Sequence, residues 1–438
     1  MNARIIAIVL SCLLVGAGCS GHRYGGAQLT LQDGVYWSSR YQSYLVVDDN
    51  IVSRYQFTPT NCWLAPAGLM PSVFSPAANA GQHEWMGAGF QTLVFKRLSD
   101  GLPVTFTREP LLPKLCERSV ESSAVVAVDT LVDTLHQFHH GISHSALLKW
   151  RYQATVLDSQ NQSDLASSLG LFELLSELLA DSNDEHAYLL SRELERYYRV
   201  TNFAVGEAQR ELSRRDLLRQ LTASDLYSGC EQALWWGLLS TGDYYLGVLR
   251  LHRFTPEASY SENGQRCLQR ALHSIAEDLQ RVAQVKGAAP KLIIDLRYNE
   301  GGSLLFASQL AQSLVPKDEP LAIISGHKVN EQRRPDLSRL HQRGKVLVTE
   351  VTASAAEHLA HGLRLRGFVL QGQHTRGAFA PTTVRTLPNG WIVGMSMYPP
   401  HEVLDGLGNP LPETKGLTPD DTLPVEVLFP RGNKKARQ

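Results

Sequence analysis

The feature that most constrains this chain is the alternation that begins near Tyr244. Tyr244 to Leu251 reads as a strand and Gln265 to Val285 as a long helix. Lys291-Leu292-Ile293-Ile294-Asp295-Leu296 reads as a buried strand. A tight turn, Asn299-Glu300-Gly301-Gly302, leads into a helix from Leu304 to Leu314. Leu321 to Ile324 and Val346 to Val351 are two further strands, followed by a helix from Ala353 to Leu365 and a strand from Phe368 to Leu370. Strands separated by helices build a largely parallel sheet, so an α/β core is expected over residues 226–430.

Two other kinds of patterning precede it. Residues 34–110 read as a small β domain, in which Tyr44 to Val47 and Ile51 to Tyr55 flank Asp48-Asp49-Asn50, a hairpin signal. Residues 115–225 read as a helical subdomain. Its clearest helix runs from Asp164 to Ala180, with Leu165, Leu169, Phe172, Leu175 and Leu179 at helical spacing, Ser163 as N-cap, and an end near Asp181-Ser182-Asn183-Asp184. A formal net charge of −1 offers no basic field for nucleic acid. His136, His139, His140 and His144 cluster at a helix end, but no carboxylate or cysteine joins them at a ligand spacing, and no metal site is expected.

The first residues look like an export signal. Arg4 precedes an apolar run from Ile5 to Val15, too short to span a membrane, and Gly16-Ala17-Gly18 leads to Cys19. Small residues before a cysteine resemble the lipobox of bacterial lipoproteins. That implies a signal peptide over 1–18, a diacylglyceryl anchor on Cys19 and a tether over 19–33. Ser20 then implies the outer membrane, facing the periplasm. Cleavage without lipid is the alternative. Cys62, Cys116, Cys230 and Cys267 remain, and four thiols in an oxidising compartment suggest two disulfides. Chain order favours Cys62 with Cys116 and Cys230 with Cys267 among three connectivities.

Three stretches carry the chemistry. Asp295-Leu296-Arg297-Tyr298-Asn299-Glu300-Gly301-Gly302 follows a strand, and its glycines let backbone N–H groups approach a ligand. Thr352-Ala353-Ser354-Ala355-Ala356-Glu357 opens a helix, where a serine Oγ sits at the positive helix end. Asp184-Glu185-His186 follows the end of the helix before it. Alone, each has a structural explanation: a strand–helix joint, a helix cap and a solvated turn.

In order, they resemble the C-terminal processing (tail-specific) protease and tricorn-core family. That family carries DxRxNxGG, an ASASE-like nucleophile segment and GxxTxG. Here these stand as DLRYNEGG, ASAAE and Gly372-Gln373-His374-Thr375-Arg376-Gly377, with a closing Gly416-Leu417-Thr418-Pro419-Asp420. The resemblance spans about Leu226 to Pro424 and implies a ClpP/crotonase-type core. It implies Ser354 as nucleophile and an oxyanion hole from a glycine of Gly301-Gly302 together with Ala355. The lysine base of the processing proteases falls on Ala378, so the resemblance points to the histidine-dependent branch, with His186 as general base and Glu413 as its acidic support, Glu402 second. His358, His361 and His374 are the other candidate bases. Acyl transfer on a peptide needs no metal or organic cofactor. Residues 191–233 are too few for the peptide-binding PDZ module frequent in the family. A catalytically silent peptide-binding lipoprotein and a serine esterase are the rival readings.

Overall fold

The computed structural model describes residues 32–422 except 50, 66–82, 89–90, 98–102, 122, 139–143, 161–168, 201–206, 252–261, 317–334, 398–402 and 406. The export signal, Cys19, Ser163, Glu402 and the strand expected at Leu321–Ile324 lie outside the described residues.

The first seven strands are β1 (Gly34–Ser38), β2 (Ser43–Asp48), β3 (Ile51–Phe57), β4 (Cys62–Leu64), β5 (His83–Ala88), β6 (Thr92–Arg97) and β7 (Pro103–Glu109). They form one antiparallel sheet in the order β4-β3-β2-β1-β7-β6-β5. Asp48 pairs with Ile51 across the expected hairpin, and Asp49 takes φ 45°, a conformation such tight turns require. A disulfide joins Cys62 to Cys116 just beyond the sheet.

Helices α1 (Ala124–Phe138), α2 (His144–Gln160) and α3 (Leu169–Asp181) follow, then strands β8 (Tyr188–Ser191) and β9 (Arg196–Arg199) and helix α4 (Glu207–Thr222). The core then runs through β10 (Tyr227–Gly229), β11 (Leu234–Leu238), β12 (Tyr244–Val248), α5 (Glu262–Lys286), β13 (Lys291–Asp295), α6 (Leu304–Leu314), β14 (Gln342–Val348), α7 (Ala355–Arg364) and β15 (Val369–Gly372). A hairpin of β16 (Thr382–Thr386) and β17 (Ile392–Ser396) and a short β18 (Asp421–Thr422) complete it.

The core sheet has the order β10-β11-β12-β13-β14-β15-β18 and is parallel from β12 onward. Leu292, Ile294, Val346 and Val348 pack with Leu272 and Ile275 of α5, Phe306 and Leu310 of α6 and Leu359 of α7. Ile293, Leu347 and Tyr245 meet Leu217 and Leu221 of α4 on the other face. Burial on both faces is why these strands read as continuous apolar runs. The Cys230–Cys267 disulfide ties the segment between β10 and β11 to α5.

The β16–β17 hairpin does not join the core sheet. It pairs with β8 and β9 in a four-stranded sheet, β16-β17-β8-β9, and Trp391, Val393 and Met395 pack among α1 and α3. Its buried Arg385 donates to the carbonyls of Tyr41 and Phe57, both at 3.0 Å, and Gln56 donates to Thr386 at 2.6 Å. Residues 382–396 therefore fasten the core to both N-terminal units.

Candidate active site

The expected nucleophile segment is built by the ends of β13 and β14. Arg297 grips Asp295 through Nε at 2.9 Å and Nη2 at 2.7 Å, and the Tyr245 hydroxyl donates to the same carboxylate at 2.8 Å. All three are buried, so a fully bonded ion pair fixes the strand end. Asn299 donates to the Val248 carbonyl at 2.8 Å and accepts from the Gly301 N–H at 2.9 Å. From the other side, Thr352 donates to the Leu296 carbonyl at 2.8 Å and Ala353 N–H to the Asn299 carbonyl at 3.1 Å.

These bonds press the two loops together. A Cβ on Gly301 would lie 2.6 Å from the Ala353 carbonyl oxygen and 2.7 Å from the Ser354 Cβ, at φ +94°, so only glycine fits. Ser354 precedes α7 with φ 55° and ψ −125°. This is a strained conformation for a residue with a side chain, costing about 1–3 kcal/mol, of the kind found at nucleophile turns between strand and helix. Asn299 takes the Gly301 N–H, and the Ala355 nitrogen lies 3.0 Å from where a Cβ on Gly301 would stand.

Glu357 holds this turn. Its buried carboxylate accepts from the N–H groups of Ser354 at 3.0 Å, Gly377 at 2.7 Å and Ala378 at 2.8 Å, and from the Thr375 hydroxyl. Burial still leaves its pKa above the usual carboxylate range against these four donors. The spacing Ser354-x-x-Glu357 is that of a helix capping box, a readable signal that sequence analysis did not use. The position where the lysine branch has its base, Ala378, thus supplies a backbone donor to Glu357.

His186 belongs to the other sheet. α3 ends at a left-handed Asn183, φ 52°, and the chain turns into β8. β17 pairs with β8 as Gly394↔Tyr188, and continuing that register two residues sets Ser396 opposite His186. The His186 Nδ1 lies 3.2 Å from the Ser396 Oγ. The Ser396 hydroxyl donates to Asp184 Oδ1 at 2.8 Å, and the same carboxylate accepts the N–H groups of Ser396 at 2.7 Å and His186 at 2.9 Å. Since the single hydroxyl proton goes to Asp184, Ser396 accepts from Nδ1–H. Nε2 is then the unprotonated nitrogen, and it is buried with no hydrogen-bond partner. Burial lowers the His186 pKa to about 4, against Asp184, which raises it, and with the positive charges of Arg199 and Arg376 lowering it further.

Glu413, His358 and His361 are engaged elsewhere. Glu413 accepts from the N–H groups of Phe379 and of Ala380, the latter at 3.0 Å, and burial near Glu357 and Asp184 raises its pKa well above the usual range. The carboxylate bonded into the His186 chain is that of Asp184. The His358 Nε2 lies 2.9 Å from the Phe379 carbonyl oxygen, and burial lowers that ring to about 4. His361 pairs with Asp405 at 3.2 Å. Ser396 and Arg199 carried no sequence signal, because their relation to His186 exists only through strand pairing.

Ser354 thus stands on a strained turn at a helix start, beyond the ends of parallel strands. Residues 245–423 match the family model described as peptidase family S41. No curated protein matches the chain. Among solved structures it is similar to a candidate peptidase from Parabacteroides merdae ATCC 43184, at 20% identity, 69% of this chain, 90% of that one and a TM-score of 0.44. It is similar to a photosystem II D1 C-terminal processing protease, at 15% identity, 70% of this chain, 95% of that one and a TM-score of 0.38. The tricorn protease matches at 12% identity, over 87% of this chain and 41% of that one, with a TM-score of 0.39.

Proposed function

We propose that this chain is a peptidase of family S41, an exported serine endopeptidase acting through Ser354, His186 and an acyl-enzyme on a ClpP/crotonase-type core. The observation that carries the reading is the proton arrangement at His186. Its Nδ1 is tied through Ser396 to Asp184, and its buried Nε2 keeps a free lone pair.

In this reading Nε2 takes the proton of the Ser354 hydroxyl as Oγ adds to the peptide carbonyl carbon. The N–H groups of Gly302 and Ala355 receive the oxyanion, a contribution of several kcal/mol to the barrier. Asp184 stabilises the imidazolium through Ser396. His186 then protonates the leaving amine, and water attacks the acyl-enzyme by the same steps in reverse. The substrate is a peptide or protein chain. We also propose export and a lipid anchor on Cys19 at the outer membrane. The apolar run before Cys19 and the disulfides Cys62–Cys116 and Cys230–Cys267 support that reading.

The test is labelling of the folded protein by a fluorophosphonate probe. Label on wild type, lost in both Ser354→Ala and His186→Ala, is expected. Label that survives His186→Ala would move the base to another histidine, and an unlabelled wild type would favour a silent scaffold. Cleavage of esters but not of peptides would identify an esterase instead. For the anchor, Cys19→Ala is expected to move the protein from the membrane to the soluble fraction.

A further inference from the structure

The hairpin turn between β10 and β11 is strained. Cys230, Glu231 and Gln232 take φ 52°, 54° and 61° in succession. Residues with side chains visit this left-handed region singly, not in runs. Each of the three has its own restraint. Cys230 is bonded to Cys267 of α5. The Glu231 carbonyl accepts from Nη2 of Arg250 at 2.7 Å, and the Gln232 carbonyl accepts from the Trp235 indole N–H at 3.0 Å. Strain that its surroundings over-determine in this way collects at functional sites.

The turn is joined to the Gly301-Gly302 loop through residues 249–251. Leu249 donates its N–H to the Ala233 carbonyl at 2.9 Å, toward β11. Leu251 donates to the Gly301 carbonyl at 3.1 Å and accepts from the Ser303 N–H at 2.8 Å, on the side of β13. N–H groups two residues apart in a regular strand meet the same neighbour, so the chain reverses its bonding direction at Arg250. The Gly301 carbonyl and the Gly302 N–H belong to one planar peptide unit and point opposite ways. Glycines stand on both sides of that unit, at φ 94° and 133°, so no Cβ holds its direction. The bond from Leu251 does.

We infer that Arg250 is a positioning residue for the reaction at Ser354: it ties the strained turn at 230–232 to residues 249–251, and so holds the Gly302 N–H toward the oxyanion. The inference rests on the peptidase reading, in which that N–H is an oxyanion donor. Arg250 acts through the turn, since Nη2 bonds the Glu231 carbonyl at 2.7 Å and lies 3.7 Å from the Glu231 carboxylate. Its side chain is 33% exposed, so shortening its reach opens no core cavity. Without it Glu231 relaxes from the left-handed region, residues 249–251 lose their tether at the point of reversal, and the peptide between Gly301 and Gly302 gains a second orientation.

The experiment compares full-length wild type, Arg250→Met and Arg250→Met with Glu231→Gly. Labelling by a fluorophosphonate probe is followed over a range of probe concentrations, and amide hydrogen exchange is read in peptides covering residues 297–304. Arg250→Met is expected to lower the maximal labelling rate about tenfold, a fraction of the loss when an oxyanion donor is removed outright. The half-saturating probe concentration should change little, and exchange at 297–304 should quicken. Adding Glu231→Gly is expected to restore most of the rate, because glycine takes the left-handed conformation without strain. A merely structural arginine would lower the denaturation midpoint and leave the maximal rate of the folded protein as in wild type, and that result would overturn the proposal. A slower rate with unchanged exchange at 297–304, or one that glycine does not restore, would overturn it too. If Arg250→Met does not fold, Arg250→Lys decides: its single ammonium cannot reproduce the guanidinium's geometry, so an intermediate rate supports the proposal and a wild-type rate defeats it. An unlabelled wild type would remove the peptidase reading, whereas the exchange at 297–304 still reports whether Arg250 holds the loop.

Discussion

The two halves of the site are made in opposite ways. The serine half lies at the ends of β13 and β14, and each of its loops is braced by bonds close in sequence, Asp295 with Arg297, Asn299 with Gly301, Ser354 with Glu357, before Thr352 and Ala353 join the two loops. The histidine half is joined by a contact between residues 210 apart, His186 and Ser396. A site of this kind can thus draw rigidity from local bonding on one side and depend on distant strand pairing on the other. The residues that brace the serine should therefore fail mainly through stability, and those that brace the histidine mainly through turnover.

The largest effect expected is on chemistry. His186→Ala should lower peptide kcat by about 10⁴-fold or more, close to the loss from Ser354→Ala, because members of one proton-transfer unit are not additive. The double variant measured beside both singles checks this. Independent, multiplying losses would break the pairing of the two halves.

Next comes Glu357→Ala. It would leave three N–H groups and a hydroxyl without their shared acceptor in a buried place. Unfolding stability should fall by about 3–5 kcal/mol, read as a lower denaturation midpoint at unchanged slope. A loss under about 1 kcal/mol would remove the claim that this carboxylate holds the turn.

That contrast also explains what the sequence could reveal. The strand–helix order from Tyr244 to Leu370 was legible because a sheet buried on both faces writes continuous apolar runs, and α6 falls at Leu304–Leu314 as read. DLRYNEGG and ASAAE were legible because their bonds are local. Ser396 was not legible: one serine ending a strand looks like any other, and only the β8–β17 register gives it a role. The same crossing hid the partition of the chain. Residues 382–396 follow the core strands in sequence yet pair, through β17, with β8. Glu413 was nominated by position near the closing motif, whereas the acid bonded toward His186 stands two residues before it.

Ser396→Ala sharpens the comparison from the other side. The Asp184 carboxylate keeps the N–H groups of Ser396 and His186, so stability should change by only about 1 kcal/mol. Peptide kcat should fall by about 10–100-fold with KM little changed, since Nδ1 loses the partner that fixes the tautomer. Ser396→Thr, which keeps a hydroxyl, should restore much of the rate. A variant with wild-type kcat would sever Asp184 from the mechanism.

The smallest effect is electrostatic and reports the join between the halves. The charges that act on His186 are Asp184, which raises its pKa, and Arg199, Arg376 and His358, which lower it, all beneath a larger effect of burial. With the folded pKa at about 4 against 6.5 for a free imidazole, the base stays neutral well into acid. The acid limb of kcat/KM should therefore fall near pH 4. The neutral folded histidine also means that stability declines as the pH drops from about 6.5 toward 4, where the unfolded chain binds the proton first. Arg199→Gln removes one positive neighbour, so the acid limb should move upward, by roughly half a unit. Asp184→Asn removes the opposing charge and should move it downward. If both variants leave the limb where it is, the titrating base is not His186, and the two halves do not meet at that ring.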